Sequence, residues 1–591
     1  MADVKLKRTN KNGELRLSDI GREVILSGWV HRRRDHGGLI FIDLRDRWGL
    51  TQVIFDPVRD PKAHNIAEHV RPEWVISVHG KVNKRMEGMT NPKLATGEIE
   101  VDCDEIEILS KAKPVPFPLD EYMDVGEEIR LQYRYLDLRR EEMQQNLIFR
   151  SKVAAVVRNY LISREFVEIE TPFLMKSTPE GARDFLVPAR RYFGKFYALP
   201  QSPQIYKQLL MVSGFDRYFQ ITKCFRDEDL RKDRQPEFTQ VDLEMSFVEE
   251  EDVLDVIGGL MNEIFDKTMG IKFEHRFPRM TYTEAIDRYG VDKPDIRFGL
   301  EMVNVGDMLL HCDFKVFKTV LENGGLIKSI NVKGGASMSR SQLDSLTWFS
   351  QQQGAGGMAW MKMTERGLES NIVKFFDESI QKALIERMKA EQGDLLIFVA
   401  DNPLVVNRTL GAMRLKLGND LGLINEAEFK ALFVTEFPLF ELDEETGKIN
   451  PMHHPFTSPV KEDIPLLEKD PLKVRSKAYD LVLNGTEIVS GSIRIHDRDL
   501  QMHVFKILGI PDEEVQKKFG FLIEAFEYGT PPHGGAAFGF DRFIMILRGA
   551  SSIRDVIAFP KTNQAISPMD DTPSDVSREQ LIELGLSIRK Q

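Results

Sequence analysis

The stretch from Phe225 to Glu244, which reads FRDEDLRKDRQPEFTQVDLE, constrains the fold of this chain more than any other segment. Strand-like residues flank its charged loop, from Tyr218 to Cys224 on one side and from Phe238 to Phe247 on the other. Two such segments around a loop that contains proline predict an antiparallel hairpin with a long tip. A tip of this length is typical of a loop that holds a ligand.

Side chains of complementary chemistry gather on one face of the predicted hairpin. Arg226 and Glu228 lie where the chain leaves the first strand, while Phe238, Gln240 and Asp242 alternate onto one face of the second. This set suits a nucleoside triphosphate, because a guanidinium can clamp an α-phosphate, a ring can stack an adenine, and a carboxylate can accept from the adenine amino group. The alternative is a solvated hairpin whose charges pair weakly at the surface.

The motifs of this chain resemble those of the class II aminoacyl-tRNA synthetases. FRDE, a loop and FTQVDLE resemble motif 2, FVEIETP at 166–172 resembles motif 1, and GAAFGFDR at 535–542 resembles motif 3. The resemblance narrows to the bacterial-type aspartyl-tRNA synthetases through TPEGARD at 178–184, ALPQSPQIYKQLL at 198–210, MHHPFTSP at 452–459 and IRDVIAFPK at 553–561. It covers nearly the whole chain. It implies an enzyme that activates L-aspartate with ATP and transfers it to the 3′ end of tRNA(Asp).

Composition limits the classes of protein to which the chain can belong. Its 591 residues are too many for one core, so about three domains are expected. The net charge of -12 argues against indiscriminate coating of nucleic acid, so any RNA contact must be local. Cys103, Cys224 and Cys312 form no CxxC pair, which argues against a disulfide framework or a zinc site. Because no signal-type or membrane-spanning run is found, we expect a cytoplasmic protein.

The predicted fold class is α+β multidomain, with an OB-type β-barrel, an antiparallel-sheet catalytic domain and an inserted α+β domain. Short strand-like segments before residue 112 predict the barrel: Val24 to Val30, Leu39 to Leu44, Leu50 to Phe55, Trp74 to Val82 and Gly97 to Asp102. The expected divisions are 1–112 for the barrel, 113–140 for a hinge with the proline-rich KAKPVPFP, 141–287 and 420–561 for the catalytic domain, 288–419 for the insertion, and 562–591 for a polar, partly helical extension.

Two segments carry further expectations. Apolar residues recur at helical spacing from Glu141 to Ser163, which predicts a helix. The alternative is a helix packed within its own domain, but the resembled family uses this helix and the strand up to Pro172 as a twofold interface, which implies a homodimer. The inserted domain of that family is named for a Gly-Ala-Asp triplet, whereas this chain reads Val399-Ala400-Asp401, so the local turn is expected to differ.

The resemblance also implies the ligands of individual residues. Arg226, Glu228 and Arg542 are the implied catalytic residues, and magnesium on the triphosphate is held by Asp480 and Glu487. The implied ATP-binding residues are Arg226, Asp227, Glu228, Gln235, Phe238, Glu487, Gly539, Phe540, Asp541 and Arg542. The implied aspartate-binding residues are Glu180, Ser202, Gln204, Lys207, Arg226, Gln240, Asp242, His453 and Arg494. Without the other motifs, Arg542 is equally well interpreted as a helix N-terminal arginine paired with Asp541.

The resemblance assigns the anticodon of tRNA to the barrel. The implied contacts are Arg34, His36, Phe41, Gln52, Arg85, Gly88 and Glu100, with Phe41 stacking on the middle base. Members that accept both tRNA(Asp) and tRNA(Asn) tend to carry His and Gly at the places of His36 and Gly88, so this chain is expected to charge both. The alternatives are a strictly tRNA(Asp)-specific enzyme, with His36 only capping a loop, and a catalytically silent RNA-binding paralogue.

Overall fold

The computed structural model describes residues 5–119, 125–178, 181–273 and 276–589. Contacts between Cα atoms divide the chain into two units. One comprises residues 1–145 with 567–570, and the other comprises residues 146–566 with 571–591. The first unit therefore extends beyond the predicted barrel, through the proline-rich segment.

Alternation of apolar and polar residues closes the sheet of the first unit into a barrel. Its elements are β1 (Glu23–His36), β2 (Leu39–Asp46), β3 (Gly49–Phe55), α1 (Pro61–His69), β4 (Val75–Lys84) and β5 (Ile99–Ser110), followed by α2 (Glu127–Gln132) and α3 (Arg134–Asp137). In β2, Ile40, Ile42 and Leu44 are fully buried, whereas Phe41 and Asp43 between them face outward. The strand order β1-β2-β3-β5-β4 is closed, which confirms the predicted OB-type barrel.

The first strand is longer than the sequence indicates. The strand-like segment predicted from the sequence ends at Val30, but β1 continues to His36, and only Gly37 and Gly38 remain in the turn. Both glycines have positive φ, +64° and +85°, which matches a two-residue hairpin turn. Arg34 consequently lies opposite Phe41 in the β1–β2 ladder.

The predicted hairpin forms two neighbouring strands of an eight-stranded sheet. The elements up to this point of the chain are α4 (Glu141–Ile162), β6 (Val167–Glu168), β7 (Leu186–Pro188), β8 (Phe196–Ala198), α5 (Gln204–Val212), β9 (Arg217–Phe225), β10 (Glu237–Ser246), α6 (Glu250–Met269), β11 (Arg279–Thr281) and α7 (Tyr282–Tyr289). Strand β10 buries Val241, Leu243 and Met245 against α4 and α6, in a core that includes Tyr160 and Ile257. Because strand residues alternate, Gln240, Asp242 and Glu244 face the other side of the sheet.

A second sheet forms within the predicted insertion. Its elements are β12 (Met302–Asn304), α8 (Gly306–Leu309), α9 (Lys315–Glu322), β13 (Leu326–Val332), α10 (Arg340–Gln352), β14 (Ala359–Thr364), β15 (Gly367–Glu369), α11 (Glu378–Met388), β16 (Leu395–Asp401) and α12 (Pro403–Asp420). The sheet has the order β12-β13-β16-β14-β15 and has its own buried clusters. Phe398 to Asp401 lie in β16. Val399, which stands where the family triplet has Gly, is therefore in a buried strand rather than in a turn.

The remainder of the chain completes the eight-stranded sheet. Its elements are β17 (Ala431–Thr435), β18 (Phe440–Leu442), β19 (Ile449–Pro451), β20 (Ala478–Leu483), β21 (Thr486–Ile493), α13 (Arg498–Ile507), α14 (Asp512–Ala525), β22 (His533–Gly539), α15 (Phe540–Leu547) and α16 (Arg578–Leu584). The order is β11-β17-β20-β21-β22-β10-β9-β6, antiparallel except for the two edge strands. This arrangement confirms the predicted antiparallel-sheet fold. The strand-like run from Tyr479 is a hairpin that turns at Asn484 and Gly485.

Candidate active site

The side of the sheet opposite its apolar core carries a cavity of about 370 Å³. Strands β10, β21 and β22, helix α5, the β9–β10 loop and the start of α15 supply its walls. The sequence-predicted residues on these walls are Ser202, Gln204, Lys207, Arg226, Glu228, Gln235, Phe238, Gln240, Asp242, His453, Glu487, Arg494, Gly539, Asp541 and Arg542. Residues far apart in the sequence therefore meet in one cavity.

Four charged side chains form a buried cluster against this cavity. Lys207 Nζ lies 2.8 Å from Asp242 Oδ1 and 3.2 Å from Glu244 Oε2. Arg494 donates from Nε to Glu244 Oε1 at 2.9 Å and from Nη2 to Glu244 Oε2 at 3.1 Å. Two cations and two carboxylates thus balance each other away from water. Removing one partner from such a pair typically costs roughly 3–5 kcal/mol.

Burial and these partners act in opposite directions on the two carboxylates. Burial raises the pKa of Asp242, and the Lys207 ammonium opposes that rise only in part. Burial also acts to raise the pKa of Glu244, but Arg494 and Lys207 together hold it below its ordinary value. The difference arises because Glu244 contacts both cations, whereas Asp242 contacts Lys207 alone. Glu244 is therefore the more firmly ionised carboxylate.

Every N–H group of the Arg494 guanidinium has an acceptor within the protein. Besides the bonds to Glu244, Nη1 donates to His454 Nε2 at 2.7 Å and to Ser492 Oγ, and Nη2 donates to the Gly535 carbonyl oxygen at 3.2 Å. Because arginine only donates, His454 Nε2 carries no proton. Burial and the charge of Arg494 lower the pKa of His454 well below its ordinary value, which agrees with a neutral imidazole. A ligand carboxylate reaches Arg494 only by replacing one of these acceptors.

Two buried polar atoms of cavity-lining residues make no hydrogen bond of good geometry within the described ranges, although the Tyr218 hydroxyl lies near one of them. They are the amide nitrogen of Gln204 and Oδ2 of Asp242. Buried polar groups without a partner are rare in folded proteins, so a donor and an acceptor left open at one cavity indicate a ligand that supplies both. An amino acid fits this requirement, because its carboxylate accepts from an amide and its ammonium donates to a carboxylate.

Cations and an aromatic ring lie along the other wall of the cavity. The Arg226 guanidinium carbon is 5.1 Å from the centroid of the Phe238 ring. Arg542 donates from Nη1 to the Glu487 carbonyl oxygen at 3.1 Å, and its Nη2 lies 3.3 Å from Asp233 Oδ2. The Nε of Arg542 is buried and has no partner in the described part of the chain. Two guanidinium groups beside a flat ring are suited to a nucleotide, with phosphate near the cations and the base near the ring.

Two carboxylates at the β20–β21 hairpin have the character of a magnesium site. Burial and the charge of Asp480 raise the pKa of Glu487, so the two groups are close enough to repel each other. Oδ1 of Asp480 is buried without a hydrogen bond, with His453 Nε2 at 3.5 Å. Mg²⁺ is usually bound by one or two carboxylates together with phosphate oxygens and water, and this pair fits that pattern. The described residues contain no group of three or more His, Cys, Asp or Glu side chains arranged for a metal.

Two predicted ATP-binding residues, Phe540 and Asp541, make contacts within the protein. The ring of Phe540 is 2% exposed, packs in the core and does not line the cavity, because the first residue of α15 points inward. Asp541 accepts hydrogen bonds from Arg150 and from the backbone N–H of Thr239, so its carboxylate secures β10 to α15. Arg542 pairs with Asp233 and not with Asp541. The interpretation of Arg542 as a helix N-terminal arginine paired with Asp541 is therefore wrong.

Other predicted residues lie at the border of the site or beyond it. Gln235 bonds the backbone of Lys561 twice, at 3.0 and 2.7 Å, so its amide is engaged by the protein. Asp227 does not line the cavity, and its backbone N–H donates to the Arg183 carbonyl oxygen at 3.1 Å. Glu180, predicted to bind the substrate ammonium, lies outside the described residues.

Three residues at this site were not among the residues predicted from the sequence. Glu244 bridges the two buried cations, and His454 rather than His453 contacts Arg494. Lys293 acts with Arg542 to oppose the raised pKa of Glu487, so its ammonium lies near the carboxylate pair. The alternation Gln240, Asp242, Glu244 could have indicated Glu244, whereas no sequence signal connects Lys293 with Glu487.

Predicted anticodon residues form a hydrogen-bonded network on the outer face of the barrel. Arg34 Nη2 donates to Asp43 Oδ1 at 2.7 Å and to Gln52 Oε1 at 3.3 Å, and Gln52 Nε2 donates to Glu100 Oε2 at 2.9 Å. Burial raises the pKa of Glu100. Asp43 joins this network although the sequence analysis did not select it. A row of alternating donors and acceptors is suited to the edges of unstacked bases.

The other predicted anticodon residues surround this network or lie at its border. Arg85 donates from Nε to the Ile99 carbonyl oxygen at 2.9 Å, and its Nη2 is buried without a partner in the described part of the chain. The ring of Phe41 is partly exposed on the same face of the barrel. His36 ends β1, and Gly88 has a φ of +83° with open space around its α-carbon.

None of the helices in the described ranges has both the length and the apolar character that a membrane crossing requires.

Comparison with known proteins identifies the families to which the two parts of the chain are similar. Residues 126–563 match the family model of class II tRNA synthetases (D, K and N), and residues 24–109 match that of the OB-fold nucleic acid binding domain. An aspartate–tRNA(Asp/Asn) ligase from Geotalea uraniireducens is 55% identical, covering 98% of both chains. An aspartate–tRNA ligase from Lysinibacillus sphaericus is 54% identical, covering 98% of this chain and 99% of its own length. The fold matches asparaginyl-tRNA synthetase from Pyrococcus horikoshii with a TM-score of 0.59 at 19% identity, over 94% of this chain and 98% of that one.

Proposed function

The chain belongs to the class II tRNA synthetases of the D, K and N group, and from this premise we propose that it is an aspartate–tRNA ligase that charges both tRNA(Asp) and tRNA(Asn). The observation that carries the proposal is the cavity itself. One wall has two cations among buried carboxylates with an open donor and an open acceptor, and the other has two guanidinium groups beside an aromatic ring.

The first step joins the two substrates. The α-carboxylate of aspartate attacks the α-phosphate of ATP in line, and pyrophosphate leaves. Arg226 and Arg542 neutralise the charge that develops on the phosphoryl oxygens, while Phe238 holds the adenine and Glu228 accepts from its amino group. In the second step a ribose hydroxyl of the terminal adenosine of tRNA takes the aspartyl group and AMP leaves. No side chain need act as nucleophile, because positioning and electrostatics supply the rate.

The metal assigned to this reaction would be held by Asp480 and Glu487. When bound, Mg²⁺ supplies positive charge to the phosphate oxygens of ATP. Each carboxylate would contribute oxygen ligands, and Oδ1 of Asp480, which faces His453 Nε2 at 3.5 Å, would be available for that purpose.

The buried cluster explains the choice of aspartate over asparagine. The side-chain carboxylate of aspartate would lie against Lys207 and Arg494, and the ammonium would lie against Asp242 Oδ2. An asparagine amide would give Arg494 only an uncharged acceptor in that place, whereas the carboxylate of aspartate gains a charge-assisted hydrogen bond, which favours aspartate.

The first experiment is amino-acid-dependent exchange of pyrophosphate into ATP. The wild-type protein should exchange with aspartate and not with asparagine. Arg494→Leu should abolish the exchange, whereas Arg498→Leu, which removes a guanidinium that is 43% exposed at the surface, should leave it intact. Normal exchange by Arg494→Leu would contradict the assigned pocket. No exchange by the wild-type protein would favour the silent paralogue.

The proposed tRNA specificity rests on His36 and Gly88 together with the name of the Geotalea relative, aspartate–tRNA(Asp/Asn) ligase, while the Lysinibacillus relative is named aspartate–tRNA ligase. Charging of pure tRNA(Asn) transcripts tests it. Equal charging of both transcripts supports the dual specificity, and charging of tRNA(Asp) alone supports the strict enzyme.

The proposal includes the setting in which the enzyme works. The protein acts in the cytoplasm as a homodimer, with α4 and the segment that follows it to Pro172 at the interface. Residues 288–419 form the inserted domain between the two parts of the catalytic domain, in accordance with the separate sheet found there. Sedimentation of the full chain measures the oligomeric state.

A further inference from the structure

The β2–β3 turn of the barrel carries a cationic and aromatic surface apart from the anticodon network. The Trp48 ring is 41% exposed. Three cations surround it, with the Arg8 guanidinium carbon at 5.1 Å from the ring centroid, Lys11 Nζ at 4.8 Å and the Arg47 guanidinium carbon at 4.5 Å. These four residues are named the Trp48 patch.

Two of the three cations lack a carboxylate partner. Arg8 lies 3.5 Å from the buried carboxylate of Asp46. Lys11 and Arg47 make no ion pair with any residue of the described ranges. Glu14 lies near Lys11, but its carboxylate accepts from the Lys11 backbone N–H at 3.1 Å. Three like charges around one ring repel each other, so the free protein retains unneutralised positive charge that an anion would offset.

The patch lies at the turn that follows β2, the strand that carries Phe41 and Asp43. In β2, Phe41, Asp43 and Arg45 alternate outward along one row, and the strand ends at the turn that holds Trp48. At about 3.3 Å per residue, Phe41 and Trp48 are roughly 20 Å apart along the chain. A structured RNA whose bases reach Phe41 is longer than this distance, so its backbone could extend to the turn.

We propose that the Trp48 patch is a second contact surface for tRNA, binding phosphate groups of the backbone without regard to sequence. The inference rests on the proposed function, which makes tRNA the substrate. Lys11 and Arg47 supply the charge that phosphate requires, and the Trp48 ring holds them in place through cation–π contacts. Phosphate is favoured over an acidic protein surface because Arg47 and Trp48 lie within the OB-fold nucleic acid binding domain, at the turn that follows the outward-facing row of β2.

The test compares two double variants of the full-length protein. Lys11→Ala/Arg47→Ala removes the two unpaired cations of the patch. Lys62→Ala/Lys81→Ala removes the same charge from exposed positions elsewhere on the barrel. The KM for tRNA is measured in aminoacylation over a range of KCl concentrations. Each lost phosphate contact should reduce the slope of log affinity against log salt by about 0.7–0.9, so the first variant should lose about 1.4–1.8 and the control should lose none.

Two further readouts decide between explanations. Pyrophosphate exchange needs no tRNA, so it should be unchanged in both double variants, which excludes a folding defect. The first variant should weaken binding of all tRNA transcripts alike, whereas Arg34→Ala should alter the preference among anticodon variants. An unchanged KM and salt slope in Lys11→Ala/Arg47→Ala would overturn the inference. Absence of exchange and charging by the wild-type protein would instead overturn the proposed function.

Discussion

Replacement of Lys207 by methionine tests the buried charge cluster directly. Lys207 is almost fully buried between Asp242 and Glu244, and methionine fills a similar volume without the charge. Glu244 keeps its contact with Arg494, but Asp242 loses the cation that opposes its raised pKa. The substitution should therefore leave one buried carboxylate that is either ionised without a partner or protonated.

Protonation of Asp242 limits the loss of stability. An ordinary aspartate pKa is about 3.9, and each pH unit corresponds to about 1.4 kcal/mol, so protonation at pH 7 costs about 4 kcal/mol. Burial already raises the pKa of Asp242 in the native protein, so the additional loss is smaller, and we expect Lys207→Met to lower the free energy of unfolding by about 3 kcal/mol at pH 7.

The pH dependence of this loss follows from the raised pKa. The folded variant then binds one proton more than its unfolded chain, so its stability falls as the pH rises between the unfolded and the folded pKa of Asp242. The slope is about 1.4 kcal/mol per pH unit. The loss of about 3 kcal/mol at pH 7 should therefore shrink to about 1 kcal/mol at pH 5.5.

Guanidinium unfolding followed by circular dichroism at pH 5.5, 7 and 8 measures these differences. Lys272→Met removes a lysine that is 78% exposed and should change stability by less than about 0.5 kcal/mol. The double variant Lys207→Met/Asp242→Asn removes both charges, so it should recover part of the loss at pH 7 and should not show the pH slope. An equal loss at pH 5.5 and pH 8, with no recovery in the double variant, would refute the reasoning.

Three further predictions concern the ATP side of the cavity and the sheet beneath it. Asp480→Asn or Glu487→Gln should raise the Mg²⁺ concentration that half-saturates pyrophosphate exchange by about tenfold, since each removes a charged metal ligand. Lys293→Met should raise the KM for ATP several-fold without changing the KM for aspartate, because the ammonium lies near the carboxylate pair rather than near the amino-acid end. Gly491→Ala should destabilise the sheet by about 1–3 kcal/mol in a thermal melt, because the new methyl group would lie 2.4 Å from a backbone oxygen. Gly258 lies within α6, and a methyl group added there would be 3.7 Å from its nearest atom. Gly258→Ala should therefore leave the stability unchanged or increase it. An equal effect of the two glycine substitutions would contradict the packing argument.

The sequence was a reliable guide where local periodicity decides the structure. The strands around the charged loop were predicted as Tyr218 to Cys224 and Phe238 to Phe247, close to the observed β9 and β10. The helix predicted from Glu141 to Ser163 ends at Ile162. In each case apolar residues at the strand or helix period are bounded by polar residues, and tertiary contacts did not alter the pattern.

Sequence analysis was less informative where contacts over long chain separations decide the outcome. The sequence does not distinguish Glu244 from other carboxylates in strands, because its partner Arg494 lies 250 residues further along the chain. Phe540 shares a motif with Arg542, yet it faces the core because the first residues of α15 lie on different sides of the helix. The cationic run from His31 to His36 has a loop-like composition, but pairing with β2 makes it a strand. Composition describes a residue, whereas these roles depend on its neighbours.

The saturation of Arg494 has a consequence for how the pocket recognises an acid. All five of its N–H groups already have acceptors, so a substrate carboxylate must take the place of one of them. Glu244 is not a candidate, because it is buried, ionised and shared with Lys207. Neutral His454 is the replaceable acceptor, since losing its bond uncovers no charge. A neutral amide of asparagine would exchange one uncharged acceptor for another and gain little, whereas a carboxylate gains a charge-assisted bond. Selectivity for aspartate then comes from replacing an uncharged acceptor by a charged one.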